Sequence, residues 1–205
     1  MENKNNIFYR RSLRLRGYDY SQAGAYFITI CTNKRKCLFG NIVQNEVNLN
    51  ELGNAVLDIW YSLPNKYSNI ELDEFVIMPN HVHGIIVIKD VVEAIHELPL
   101  QENISSHKNY ELSQKERRNM LLPKVIGYFK MNSAKVINQK NSSSGTSLWQ
   151  RNYYEHIIRN EYELDRVREY IINNQIKWYL DYDNPDGKPD QEELQFWSDF
   201  GRKDL

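Results

Sequence analysis

Two apolar runs meet at a turn too short to hold anything but a reversal. Ile70–Met78 (IELDEFVIM) and His81–Ile88 (HVHGIIVI) are rich in β-branched residues and are separated only by Pro79 and Asn80. Such a pair predicts an antiparallel hairpin, and the second run is apolar enough to need cover on at least one face. Ala25–Thr32 (AYFITICT) reads as another buried strand, and Leu148–Ile158 contains a fourth. Ile42–Leu49 alternates imperfectly and reads as a strand or hairpin arm.

Helices fall between the strands. Asn50 caps a stretch in which Leu52, Val56, Ile59 and Leu63 recur at helical spacing, and Pro64 ends it. Asn119–Gln139 reads as a second helix, with Leu122, Ile126, Phe129 and Val136 facing the core and Pro123 in its first turn. Asn160 with Glu163 is a capping box that opens a third, running to about Leu180. Its core stripe is Leu164, Val167, Ile171 and Trp178. The order predicts an α+β fold: a ferredoxin-like or RRM-like antiparallel sheet with helices on one face. Residues 90–114 read as an insertion and Asn141–Ser147 as a flexible linker. The expected division is a domain over 1–180 and an acidic C-terminal tail over 181–205.

Charge explains why that tail is set apart. The net charge of −1 argues against a nucleic-acid binder, but from Asp181 onward eight acids face three bases, so the rest of the chain is basic. The bases cluster as Arg10, Arg11, Arg14 and Arg16; as Lys34, Arg35 and Lys36; and as Lys115, Arg117 and Arg118. Interleaved aromatics (Phe8, Tyr9, Tyr18, Tyr20) suit a groove that tracks phosphates, and the acidic tail is then a solubility feature or a cover over it. No apolar run reaches the length of a membrane span, and the polar N-terminus lacks a leader's apolar core. Cys31 and Cys37 match neither a disulfide framework nor a zinc spacing. The expected compartment is the cytoplasm.

Three groups of residues carry possible chemistry. His81 and His83 are two apart on a strand, so both imidazoles project from one face and can share a metal ion, given a third ligand. On the last helix Tyr170 and Asn174 lie one turn apart, flanked by Arg166 and Lys177. A phenol nucleophile, an amide oxygen and two cations suit phosphate chemistry. Trp149–His156 (WQRNYYEH) is dense in polar and aromatic groups, with His156 a further ligand, acid or base and Tyr153 and Tyr154 suited to stacking on bases.

His81-Val82-His83 behind Met78-Pro79-Asn80 resembles the HUH motif, and Tyr170-Ile171-Ile172-Asn173-Asn174 resembles the single-tyrosine motif of the HUH transposases. The block from Leu148-Trp149-Gln150-Arg151 to Tyr154-Glu155-His156-Ile157-Ile158-Arg159-Asn160 resembles the REP-associated tyrosine transposases. The resemblance implies magnesium or manganese held by His81, His83 and Asn174, with His156 and Gln175 in reserve. It implies that Tyr170 cleaves single-stranded DNA at hairpin-forming palindromes, leaving a 5′-phosphotyrosine and a free 3′-OH. Arg10–Arg16 and Lys34–Lys36 become candidate DNA contacts, with Arg151, Arg166 and Lys177. Gln175 stands where such proteins often have proline, and Tyr153 and Tyr154 rival Tyr170. Neutral imidazoles favour manganese or zinc over magnesium, so manganese is the better expected activator and zinc an ion that binds without turnover. Two other readings remain open: a single-strand-binding module without catalysis, and a metal-dependent hydrolase with His156 as base. A monomer and a homodimer are both compatible with the sequence.

Overall fold

The computed structural model describes residues 18–90, 113–142 and 145–202. Four strands form one antiparallel sheet: β1 (Gly24–Cys31), β4 (Ile70–Ile77), β5 (His81–Ile88) and β6 (Tyr154–Ile158), in the order β4-β5-β1-β6. The second and third strands, β2 (Gly40–Val43) and β3 (Glu46–Leu49), form a separate hairpin. Gln44 and Asn45 turn it with φ of 52° and 65°, the left-handed pair a tight hairpin requires. The sheet order and the helices between its strands are those of the expected ferredoxin-like α+β fold.

The helical expectations hold in outline. Helix α1 (Glu51–Tyr61) starts where the Asn50 side chain accepts from Leu52 N and Gly53 N. A short α2 (Leu63–Lys66) carries Pro64 in its first turn. The second predicted helix is two pieces, α3 (Gln114–Asn119) and α4 (Leu121–Lys140), split at Met120, whose backbone is extended. Ile137 rather than Val136 is the last buried contact of α4. Helix α5 (Glu161–Asn173) is capped by Asn160 but stops at Asn174, short of Leu180. Trp178 therefore leaves the α5 stripe and sits in a one-turn 3-10 helix (Trp178–Leu180). A further helix, α6 (Gln191–Asp199), lies in the segment expected to be a tail.

Helices α1 and α4 cover one face, burying Trp60, Val56, Leu122 and Phe129 on Tyr26, Ile28, Ile30, Val82 and Ile86. Beyond that one-sided expectation, α5 and α6 form a second layer, burying Val167, Ile171, Phe196 and Trp197 on Phe27, Ile85 and Tyr154. The physical reason is in β1 and β5, which are apolar at consecutive positions and so need cover on both faces. Residues 181–202 are thus part of the packed body: Asp181, Asp183, Trp197 and Arg202 are all buried. The expected insertion lies almost wholly outside the described residues, as do Arg10, Arg11, Arg14 and Arg16. Among the described residues no helix is long and apolar enough to cross a membrane.

Gly84 lets the first layer close on β5. A Cβ there would come within 2.6 Å of Trp60 Cζ2, and the Trp60 ring is itself stacked on Phe75 at 4.3 Å. Gly84→Ala should cost about 1–3 kcal/mol through overpacking, read as a lower urea midpoint at unchanged m-value.

Candidate active site and metal centre

β5 sets His81 and His83 on the face that α5 and α6 cover, opposite Cys31 and Thr29 of β1. Both imidazoles are fully buried, with ring centroids 4.4 Å apart. Each Nδ1 has a protein partner: Asn80 Oδ1 at 2.7 Å for His81 and Thr29 Oγ1 at 2.8 Å for His83. Among the described residues each Nε2 has none, although both are shut away from water. Facing them is Asp181, whose Oδ2 lies 3.7 Å from His81 Nε2 and 3.9 Å from His83 Nε2, too far for hydrogen bonds. Asn174 is buried beside this group, donating Nδ2 to Asp181 Oδ2 at 2.7 Å and leaving its Oδ1 without a partner.

Orphaned buried acceptors are costly unless something fills the gap between them. Two imidazole nitrogens and a carboxylate converge on one space: the His81, His83 and Asp181 ligand atoms lie within 4.8 Å of one another, and Asn174 is bonded to the carboxylate. That donor set fits a divalent ion, and its mixture of nitrogen and oxygen suits manganese or zinc at least as well as magnesium. Burial, reinforced by His83 and opposed by Asp181, pushes His81 down to about 4, so near neutrality its ring is the uncharged form that ligates.

Tyr170 projects from α5 beside this cluster, its ring 5.3 Å from that of His83. α6 clasps it: the phenol donates to Glu193 Oε1 at 2.9 Å, and the ring stacks on Phe196 at 3.9 Å and 8°. Burial, then the charges of Asp181, Glu193 and Asp183, raise the phenol well above its ordinary pKa, so it is protonated here. The flanking cations are also engaged by α6, Lys177 with Glu192 at 3.1 Å and Arg166 with Asp199 at 2.9 Å. A cleft of about 250 Å³ remains between the helices, lined by Arg166, Tyr170, Asn174, Lys177, Glu193 and others.

Other candidates are placed elsewhere. Gln175 Oε1 accepts from Val47 N of the small hairpin, and His156 pairs with Glu163 at 3.3 Å, so neither reaches the imidazole pair. Tyr154 is buried and donates to Phe200 O, and Tyr153 lies against Lys130. Arg151, Lys34 and Lys36 are exposed. Arg35 turns inward to Asp183 at 3.1 Å, which Arg202 also grips with two bonds of 2.7 and 2.8 Å. Asp181 went unread because it opens an acidic run that resembles solvated surface. The signal available was its place seven residues after Asn174, within reach of the same ring pair.

Among known proteins, residues 112–174 match the family model described as Transposase IS200 like. An uncharacterized protein of Haemophilus influenzae is 43% identical over 175 residues, spanning 85% of this chain and 93% of that one. A solved REP-associated tyrosine transposase bound to a REP hairpin aligns with a TM-score of 0.45 and 19% identity, over 80% of this chain and 73% of that one.

The His81 environment sets a pH dependence. An unfolded chain protonates histidine near 6.5, and burial delays this to about 4 in the folded state. Between those values the unfolded state holds the extra proton, so stability falls as pH falls through that window, by about 1.4 kcal/mol per pH unit. Urea midpoints of chelator-treated protein at about pH 7 and about pH 5 should differ accordingly, and less so in His81→Gln.

Proposed function

We propose that the chain, whose residues 112–174 match the IS200-like transposase model, is a transposase of that kind that cleaves and rejoins single-stranded DNA at hairpin-forming sequences, with Tyr170 as nucleophile. The observation that carries this reading is one juxtaposition: a phenol beside a buried trio of ligand groups, two of whose nitrogens have no partner among the described residues. His81, His83 and Asp181, with Asn174 Oδ1 as a fourth donor, would hold a manganese or magnesium ion. When bound there, the ion would supply Lewis-acid polarisation of the scissile phosphate.

The chain's own groups account for the rest. Tyr170 Oη attacks phosphorus, the bond to the 3′-oxygen breaks, and the phenolic proton is lost while the departing 3′-oxygen takes one up. The products are a 5′-phosphotyrosine and a free 3′-OH, and a 3′-OH returning along the same line rejoins the strand with release of the phenol. One phosphodiester replaces another, so no nucleotide is consumed. Arg166 and Lys177 flank the phenol and are suited to hold the strand on either side of it, with Lys34, Lys36 and Arg151 as exposed contacts further out. A protein acting on such a substrate would work in the cytoplasm.

The reading requires α6 to yield, because Glu193 holds the reacting hydroxyl and Phe196 covers the ring. Glu192 and Asp199 sit on the same two cations that a DNA backbone would use. A Glu192→Gln, Asp199→Asn double variant should therefore bind a single-stranded oligonucleotide several-fold more tightly at low salt, with the gain shrinking as salt rises. Equal affinity at all salt concentrations would mean that these acids do not compete with DNA.

The decisive assay is covalent capture. With manganese, a 3′-labelled hairpin oligonucleotide should give a protein–DNA band on a denaturing gel, absent in Tyr170→Phe and present in Tyr154→Phe. Binding with no band and no cleavage would favour a binding module; cleavage without a band would favour hydrolysis.

A further inference from the structure

The geometry points to Asn80 as a positioning residue of this centre: its side-chain amide holds His81 in the tautomer protonated on Nδ1, and so keeps Nε2 open toward Asp181. Asn80 is fully buried in the turn between β4 and β5. Its Nδ2 donates to two backbone carbonyls, Asp183 O at 2.7 Å and Arg35 O at 3.1 Å. A carbonyl can only accept, so the NH₂ end of the amide must face them. Oδ1 is then the atom 2.7 Å from His81 Nδ1. An amide oxygen also only accepts, so the hydrogen between them belongs to Nδ1. A neutral imidazole with hydrogen on Nδ1 carries its lone pair on Nε2. The other ring is held less strictly, because the Thr29 hydroxyl 2.8 Å from His83 Nδ1 can either donate or accept.

The same amide also acts on the carboxylate. Asp183, whose carbonyl accepts from Asn80, donates its own N–H to Asp181 Oδ1 at 2.6 Å. One side chain thus orients a ring and anchors the segment that carries the group opposite it. Metal-ligating histidines elsewhere depend on such partners at the other ring nitrogen, whose loss costs 10–100-fold in affinity. The inference rests on reading His81, His83 and Asp181 as the metal centre.

The test uses the full chain, metal-free and labelled with ¹⁵N in histidine. Two-bond ¹H–¹⁵N spectra should show His81 protonated on Nδ1. Asn80→Ala should release the ring into a mixture containing the Nε2-protonated form and weaken Mn²⁺ binding at least tenfold by calorimetry. Asn80→Asp loses the donors to Asp183 O and Arg35 O but retains an acceptor opposite Nδ1, so where it folds it should keep the hydrogen on Nδ1. A purely structural role would lower the melting temperature and leave the tautomer unmoved. The proposal is overturned by a wild-type His81 protonated on Nε2, by Asn80→Ala with an unaltered tautomer, or by Asn80→Asp with an altered one. If neither variant folds, the wild-type spectrum still decides. The wild-type tautomer as expected, with no Mn²⁺ uptake, would sink the metal reading and leave the hold of Asn80 on the ring standing.

Discussion

Two imidazoles on a strand buried from both sides impose most of what surrounds them. Water cannot serve their nitrogens, so every partner must be supplied by the chain. Asn80 and Thr29 meet the two Nδ1 atoms, while Asp181, held in turn by Asn174, stands opposite the two Nε2 atoms. These groups come from β1, the β4–β5 turn, the end of α5 and the segment after it. The second helical layer is what brings the last two into place, and it exists because β1 and β5 expose apolar side chains in both directions.

Charge follows the same internal logic. A chain with equal numbers of acids and bases, to within one, need not have a featureless surface. Here the acids of the C-terminal segment are spent on particular cations: Asp183 on Arg202 and Arg35, Glu192 on Lys177, Asp199 on Arg166. Arg202 is also sandwiched against Trp197 at 4.3 Å and Tyr182 at 4.6 Å, so the clasp combines charge with aromatic stacking. The buried end of this arrangement is rigidly partnered, and the exposed end, around Lys177 and Arg166, is the part that salt can screen.

What the sequence disclosed depended on periodicity. The strand pair at Pro79-Asn80, the caps at Asn50 and Asn160 and the paired imidazoles were legible because alternation and capping are local signals. The tyrosine's nearness to His83 followed from family likeness, since helical spacing sets only Tyr170 and Asn174 on one face. The second layer was not legible, because α6 is short and rich in acids and its apolar positions, Phe196, Trp197 and Phe200, make no extended stripe. Nor was the stop of α5 at Asn174, since Ile176 and Trp178 continue an apolar pattern that the chain abandons to bring Asp181 inward. Asn80 looked like a turn residue, and its second role shows only once Arg35 and Asp183 are seen beside it.

The clasp at Asp183 has a kinetic meaning. Asn80 and Asp183 lie 103 residues apart in the chain, and Arg35 and Tyr182 lie 147 apart. Contacts this remote in sequence close large loops, as the β1–β6 pairing of Ala25 with Ile158 also does, and such closure has an entropic cost. The centre can therefore be complete only once the segment bearing Asp181 and Asp183 has docked against the paired strands.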